Sequence, residues 1–160
     1  MPDRADKVGA LLDAVRVLEG IGAPYALIGG VAVGLHAAVP RATEDTNLAV
    51  HARHRTRATI DAFVAAGFEL RGEHAHSLNF RHASGEPVQL AFDGAFDAMI
   101  DRAGTFTFEG AVIRVVSKED LIEMKRRAAA DPSRRRSKAL RDRADVELLG
   151  GDVPDPDEGW

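Results

Sequence analysis

The chain has 160 residues, 45% of them apolar, enough for one compact domain with a real core. Its 21 basic and 25 acidic side chains leave a formal charge of −4, so no whole-molecule attraction to nucleic acid follows. Cysteine is absent, which excludes disulfides and thiolate zinc sites and fits a reducing cytoplasm. The N-terminal stretch MPDRADKVGALLDAV is charged and amphipathic, with no secretory apolar core or cleavage site. No apolar run approaches the roughly 20 residues of a membrane span. The expectation is a soluble, cytoplasmic protein with one domain over 1–149. The Gly-, Pro- and acid-rich end, 150–160, reads as a mobile tail.

Val8, Leu11, Leu12, Val15 and Leu18 recur at helical spacing, which predicts an amphipathic helix over about 4–19, ended by Gly20, Gly22 and Pro24. Tyr25-Ala26-Leu27-Ile28 reads as a strand, Gly29-Gly30 as a turn and Val31 to Ala38 as a helix of small apolar residues stopping before Pro40. Two adjacent glycines let backbone amides approach a ligand, and the helix start beyond them offers unpaired N–H groups and a positive dipole end. That is a physical basis for holding phosphate. His36 on this helix is expected to be packed or solvent-facing rather than catalytic.

A second strand is entered through Pro40-Arg41-Ala42-Thr43 and runs to Val50. Alternation turns Thr43, Asp45 and Asn47 to one face and Glu44, Thr46 and Leu48 to the other. An acid beside a phosphate cradle suggests a metal–nucleotide site. His51 and His54 have a spacing some metal sites use, but with no third ligand nearby a solvated loop is expected. Ile60, Phe63 and Val64 define a helix closed by Gly67. Phe68-Glu69-Leu70 and Ser77 to Arg81 read as strands around an Arg71-Gly72-Glu73-His74 turn.

Val88, Leu90 and Phe92 alternate with Gln89, Ala91 and Asp93, which predicts a strand with its first set in the core. A short helix to Ala103 follows, then a hairpin around Glu109-Gly110. Ser117 and Asp120 form a capping box for a helix over Lys118 to Ala130. Asp131-Pro132-Ser133 breaks that helix, and Ser133 is placed to cap a last one from Arg134 to Leu149.

The Gly-Gly turn followed by Arg41-Ala42-Thr43-Glu44-Asp45-Thr46-Asn47 resembles the nucleotidyltransferase-fold proteins of the polymerase-beta superfamily, nearest their AbiEii toxin-like and related small bacterial branches. Those proteins carry Gly-Gly, then Arg-x-Thr-x-Asp-x-Asp on the next strand. The closing pattern is similar as well: Ser117-Lys118-Glu119-Asp120-Leu121-Ile122-Glu123-Met124-Lys125, then Arg135, Lys138, Asp142 and Asp145. The resemblance covers roughly residues 20 to 149. It implies a minimal α/β (α+β) fold, a small mixed sheet flanked by helices with a helical C-terminus. It also implies transfer of a nucleotidyl group from an NTP to a hydroxyl, with three carboxylates holding two Mg²⁺ ions.

The positions corresponding to those carboxylates are Asp45, Asn47 and Gln89, so two of the three are amides and the ligand charge falls from −3 to −1. Mg²⁺ demands hard anionic oxygens, and neither amide can serve as general base. Asp45 remains as a metal ligand, for at most a single weakly held Mg²⁺. Among possible substitute acids, Asp93 stands four residues from Gln89, about 13 Å along a strand. Glu44 points away, and Glu86 lies in the preceding turn.

The phosphate-facing parts are kept: Gly29 and Gly30, Arg41 and Thr43 at the strand entry, and Lys125, which by resemblance reaches the triphosphate. Read without the resemblance, Lys125 is a solvated helix face and Arg41 a surface partner of Glu44. From Lys118 to Arg143 ten basic residues face five acidic ones, and Arg134, Arg135, Arg136 and Lys138 cluster within them. Interleaved aromatics are missing, so base stacking is not indicated.

Three readings follow. One is a protein with a degraded metal site that binds an NTP, ATP first among them, weakly or acts as a partner protein, for instance beside a cognate toxin–antitoxin partner. The second is an active toxin-like nucleotidyltransferase modifying tRNA or protein. The third is an RNA- or protein-binding module working through the basic cluster.

Overall fold

Four consecutive buried residues, Tyr25–Ile28, form strand β1 near the middle of the sheet. The computed structural model describes residues 6–38 and 45–150. Ahead of β1, helix α1 (Lys7–Gly20) is capped by Asp6, whose side chain accepts from the Gly9 N–H. It buries Leu11, Val15 and Leu18, the stripe read from the sequence.

β1 runs straight into α2 (Gly29–Ala37), and the chain returns as β2 (Thr46–Val50), antiparallel to β1. The predicted glycine turn is therefore the first turn of α2. The strand expected to begin near residue 41 is described only from Thr46. Helix α3 (Arg57–Ala65) is capped by Thr56 and followed by Gly67 at φ +98°, the left-handed conformation its position calls for.

The meander β3 (Glu69–His74), β4 (Ser77–Arg81) and β5 (Pro87–Ala91) comes next, with β5 parallel to β2. The predicted turn at Arg71 to His74 is corrected: those residues belong to β3, and the chain reverses between His74 and Ser77. A register shift between Leu70 and Gly72 bulges this edge strand. Its charged and Gly residues belong to an exposed sheet margin.

Short α4 (Asp97–Asp101) precedes the hairpin β6 (Gly104–Phe108) and β7 (Ala111–Val115), and β7 pairs with β1 in parallel. The hairpin turn falls at Glu109-Gly110, where the sequence puts it. Helix α5 (Lys118–Ala130) starts on Ser117, whose Oγ accepts from the Asp120 N–H, as expected of the capping box. Helix α6 (Arg136–Leu149) begins two residues later than predicted. Ser133 does not cap it: Arg135 is the N-cap residue, and Ser133 instead donates its N–H and hydroxyl to Asp131.

The described residues thus form a seven-stranded mixed sheet in the order β3-β4-β5-β2-β1-β7-β6, with helices packed on it and a helical C-terminus. The expected α/β fold class holds. α1 and α3 pack together and reach β2, β5 and β3, while α2 packs on the α5–α6 hairpin. Phe63 stacks on Phe80, with Phe68 edge-on to both, beneath the meander. Each ring contributes about 1.5–3 kcal/mol by leaving water. No helix among the described residues is long and apolar enough to cross a membrane.

The histidines settle into structural roles. His36 donates through Nε2 to the Val116 carbonyl at 2.7 Å and meets Phe106 edge-on. His51 departs from expectation: it is buried rather than solvated, with Nε2 2.7 Å from Asp101 and Nδ1 2.9 Å from Arg53. A guanidinium can only donate, so Nδ1 accepts and Nε2 carries the proton toward Asp101.

Candidate functional site

The site grows from the junction of β1 and α2. Gly29 stands at φ +74°, and a Cβ built on it would lie 2.8 Å from the amide nitrogen of Asn47. Glycine is needed there twice over, for the left-handed backbone and for the room Asn47 takes. Ile28 pairs with Asn47 across the antiparallel ladder, which fixes Asn47 beside the glycines.

On the other side of β2, parallel pairing sets Asn47 against Gln89, and β4 then sets Asn79 against Gln89. Registered partners on neighbouring strands point to the same face. Three amides from β2, β5 and β4 therefore form one row across the sheet. Thr46, Leu48, Val88 and Leu90, at the alternate positions, are buried. The alternation that the sequence predicts for Asn47 and for Gln89 is the one observed.

A cavity of about 250 Å³ opens over the glycines and the first part of this row, with Gly29, Gly30, Asp45, Asn47 and Gln89 on its sheet side. The α5–α6 hairpin supplies the opposite wall through Lys125, Arg134, Lys138, Arg141 and Asp142. A second space of about 330 Å³ adjoins it, sharing Asp45, Gln89 and Lys138 and reaching Asn79. The five predicted residues Gly29, Gly30, Asp45, Asn47 and Gln89 thus line one cavity with Lys125. Arg41 and Thr43, the other two phosphate-facing candidates, lie outside the described residues.

Lys125 is not on a solvated face. Its side chain is 15% exposed, with Nζ 3.1 Å from Asp145 and 3.4 Å from Asp142, both of them buried. Arg134 reaches Asp142 from the other side through Nε at 2.5 Å and Nη2 at 3.3 Å. This cation–carboxylate lattice ties α5 to α6 and holds Lys125 and Arg134 at the cavity wall. The predicted basic cluster divides: Arg134 and Lys138 line the cavity, while Arg135 and Arg136 are exposed outside its lining.

Asn79 and Arg141 are cavity residues that the sequence reading does not single out. Arg141 had a signal: Lys138, Arg141, Asp142 and Asp145 recur at three- and four-residue spacing on one helix face. Asn79 had none, because its place depends on the pairing of β4 with β5.

Among the described residues the donor set does not fit a two-metal centre. Asp45 is the carboxylate on the sheet side, and the other carboxylate in the lining, Asp142, is engaged by Lys125 and Arg134. Among the described residues no group of three His, Asp or Glu side chains is placed to hold a metal. The two alternative acids within the described residues do not fill the gap. Glu86 is buried in a 2.6 Å ion pair with Lys7, and Asp93 accepts from the Ala95 N–H at 2.9 Å, capping the turn before α4. Glu44 lies outside the described residues. Summed over the described residues of the lining, four side-chain cations face two carboxylates, a local charge of +2.

No protein-family profile and no curated protein matches the chain. Solved structures do. A lincomycin-bound lincosamide antibiotic adenylyltransferase, LnuA, superposes with a TM-score of 0.63 at 15% identity, covering 94% of this chain and 99% of that one. The antibiotic-resistance factor ANT(2'')-Ia gives 0.63 at 16% identity over 92% and 84%. An antigenic nucleotidyltransferase-like protein from Paracoccidioides brasiliensis gives 0.61 at 22% identity over 99% and 82%. At these identities the likeness is one of architecture, and it covers more than nine-tenths of the chain. The chain has the nucleotidyltransferase fold.

Proposed function

We propose that this protein binds a nucleoside triphosphate, ATP being the first to try, in the cavity between the glycine turn and the α5–α6 hairpin, and does not transfer its nucleotidyl group. The observation that carries this reading is the donor set: of the three positions where the resembling family has carboxylates, Asp45 alone keeps one. A carboxylate about 4 Å from a dication contributes roughly 8 kcal/mol of gross attraction at an effective dielectric near 20. Desolvation offsets much of that. The loss of two such groups still leaves nothing to fix a second ion or to activate a hydroxyl. Asp45 alone would hold a Mg²⁺ ion only weakly.

The phosphate-facing parts support binding: the glycines at the start of α2, and Lys125, Arg134, Lys138 and Arg141 around the opening. The protein's motif order resembles that of the AbiEii toxin-like branch, which supports a role beside a partner protein. Its role is then that of a cytoplasmic nucleotide-responsive partner, with a cognate toxin–antitoxin protein as the natural candidate. The competing reading is an active enzyme modifying tRNA or protein. Incubation with radiolabelled NTPs, Mg²⁺ and total RNA or protein separates the two. We expect ATP binding with no incorporation above an Asp45→Asn control, and incorporation that depends on Asp45 would overturn the proposal.

A further inference from the structure

We infer that the cavity is an anion site in its own right, taking the triphosphate without a metal ion; the nucleotide as its natural source rests on the function proposed above. An ionised carboxylate only accepts hydrogen bonds, whereas each side-chain amide brings two N–H donors. Asn47 and Gln89 stand side by side in register, so the exchange of acids for amides adds four donors where the fold family has cation ligands. The Asn47 amide nitrogen is directed at Gly29, the point where the α2 N-terminus opens into the cavity.

Charge points the same way. Lys125, Arg134, Lys138 and Arg141 outnumber Asp45 and Asp142 two to one. Lys125 and Arg134 are held in place by buried carboxylates rather than trailing in solvent. A wall of cations, two of them fixed, facing a row of amide donors satisfies phosphate oxygens directly. Free ATP carries more negative charge than its magnesium complex. In a cavity that offers cations and N–H groups, and few anionic oxygens, the metal-free form is the better ligand. Mg²⁺ competes with the protein for the triphosphate instead of bridging the two.

Calorimetric titration of the full chain tests this with inorganic tripolyphosphate and with ATP, each in EDTA and in excess Mg²⁺. The expected result is tripolyphosphate binding in EDTA that weakens several-fold when Mg²⁺ is added. Lys138 and Arg141 are exposed helix residues, so Lys138→Gln with Arg141→Gln leaves folding intact and should weaken binding in EDTA by at least about tenfold. No binding of tripolyphosphate in EDTA, or at least tenfold tighter binding with Mg²⁺, would overturn the inference. Tripolyphosphate bound in EDTA while ATP is refused leaves the anion site standing and removes the nucleotide reading instead. ATP bound only with Mg²⁺ does the reverse.

Discussion

Lys125→Met should lower the unfolding free energy by about 3–5 kcal/mol, the cost of removing one partner from a buried ion-pair lattice. The thermal midpoint should fall by on the order of 10 °C. Asp145 loses a cation 3.1 Å away and Asp142 one of its two, at side chains only 4% and 2% exposed. The methionine fills the space of the lysine stem, so the loss reports charge rather than volume. Lys125→Arg keeps the charge and should keep most of the stability. Lys125 also lines the cavity, so nucleotide affinity falls in both variants to different extents. An unfolding curve that Lys125→Met leaves unmoved would mean that the α5–α6 hairpin is held by its apolar contacts alone.

The double substitution Asn47→Asp with Gln89→Asp should reverse the response to Mg²⁺. Adjacent registered positions on neighbouring strands are about 4.8 Å apart, and Asp45, just ahead of β2, lines the same cavity. Three carboxylates would then face the cavity from the sheet side, and its lining would fall from a local +2 to zero. Four N–H donors disappear with the amides. Metal-free ATP affinity should drop at least about a hundredfold, the effect of losing two or more hydrogen bonds to a charged ligand. Mg²⁺ should restore it and raise the thermal midpoint, an effect not expected of the natural sequence. Under the proposed function this variant is also the one in which nucleotidyl transfer should first become measurable. Equal responses to Mg²⁺ before and after the change would show that Asn47 and Gln89 do not control which ligand enters.

The parts of this architecture that local chemistry dictates were legible in the sequence. β1, α3 with its closing Gly67, the Glu109-Gly110 hairpin and the Ser117 cap each depend on a few neighbouring residues, and each stands where those residues put it. The errors fall where one local signal competes with another or with distant packing. Arg71-Gly72-Glu73-His74 has the composition of a turn, but at a sheet edge the same residues make a bulged strand. Ser133 is a good helix cap in isolation, yet it closes a local turn with Asp131 and the helix starts beyond it, after Arg135. His51 looks like loop polarity until Asp101, fifty residues away, closes over it.

The site divides along the same line. Gly29, Gly30, Asp45, Asn47 and Gln89 could be grouped in advance because the family resemblance marks all five positions and strand alternation turns Gln89 away from the core, and they line one cavity. The opposite wall was only half readable. The sequence offers Lys125 as a triphosphate ligand or a solvated helix face, and the structure removes the second by pairing it with the buried Asp142 and Asp145. Asn79 enters through strand order alone, and no periodicity within β4 marks it as different from any other polar strand residue.

The most direct measurement is anomalous diffraction from crystals grown with Mn²⁺ and a nonhydrolysable ATP analogue. The account predicts triphosphate density against the glycine turn, Lys138 and Arg141, with no pair of manganese peaks on the sheet side. Two ordered peaks about 3.5–4 Å apart, with Asp45, Asn47 and Gln89 among their ligands, would contradict it.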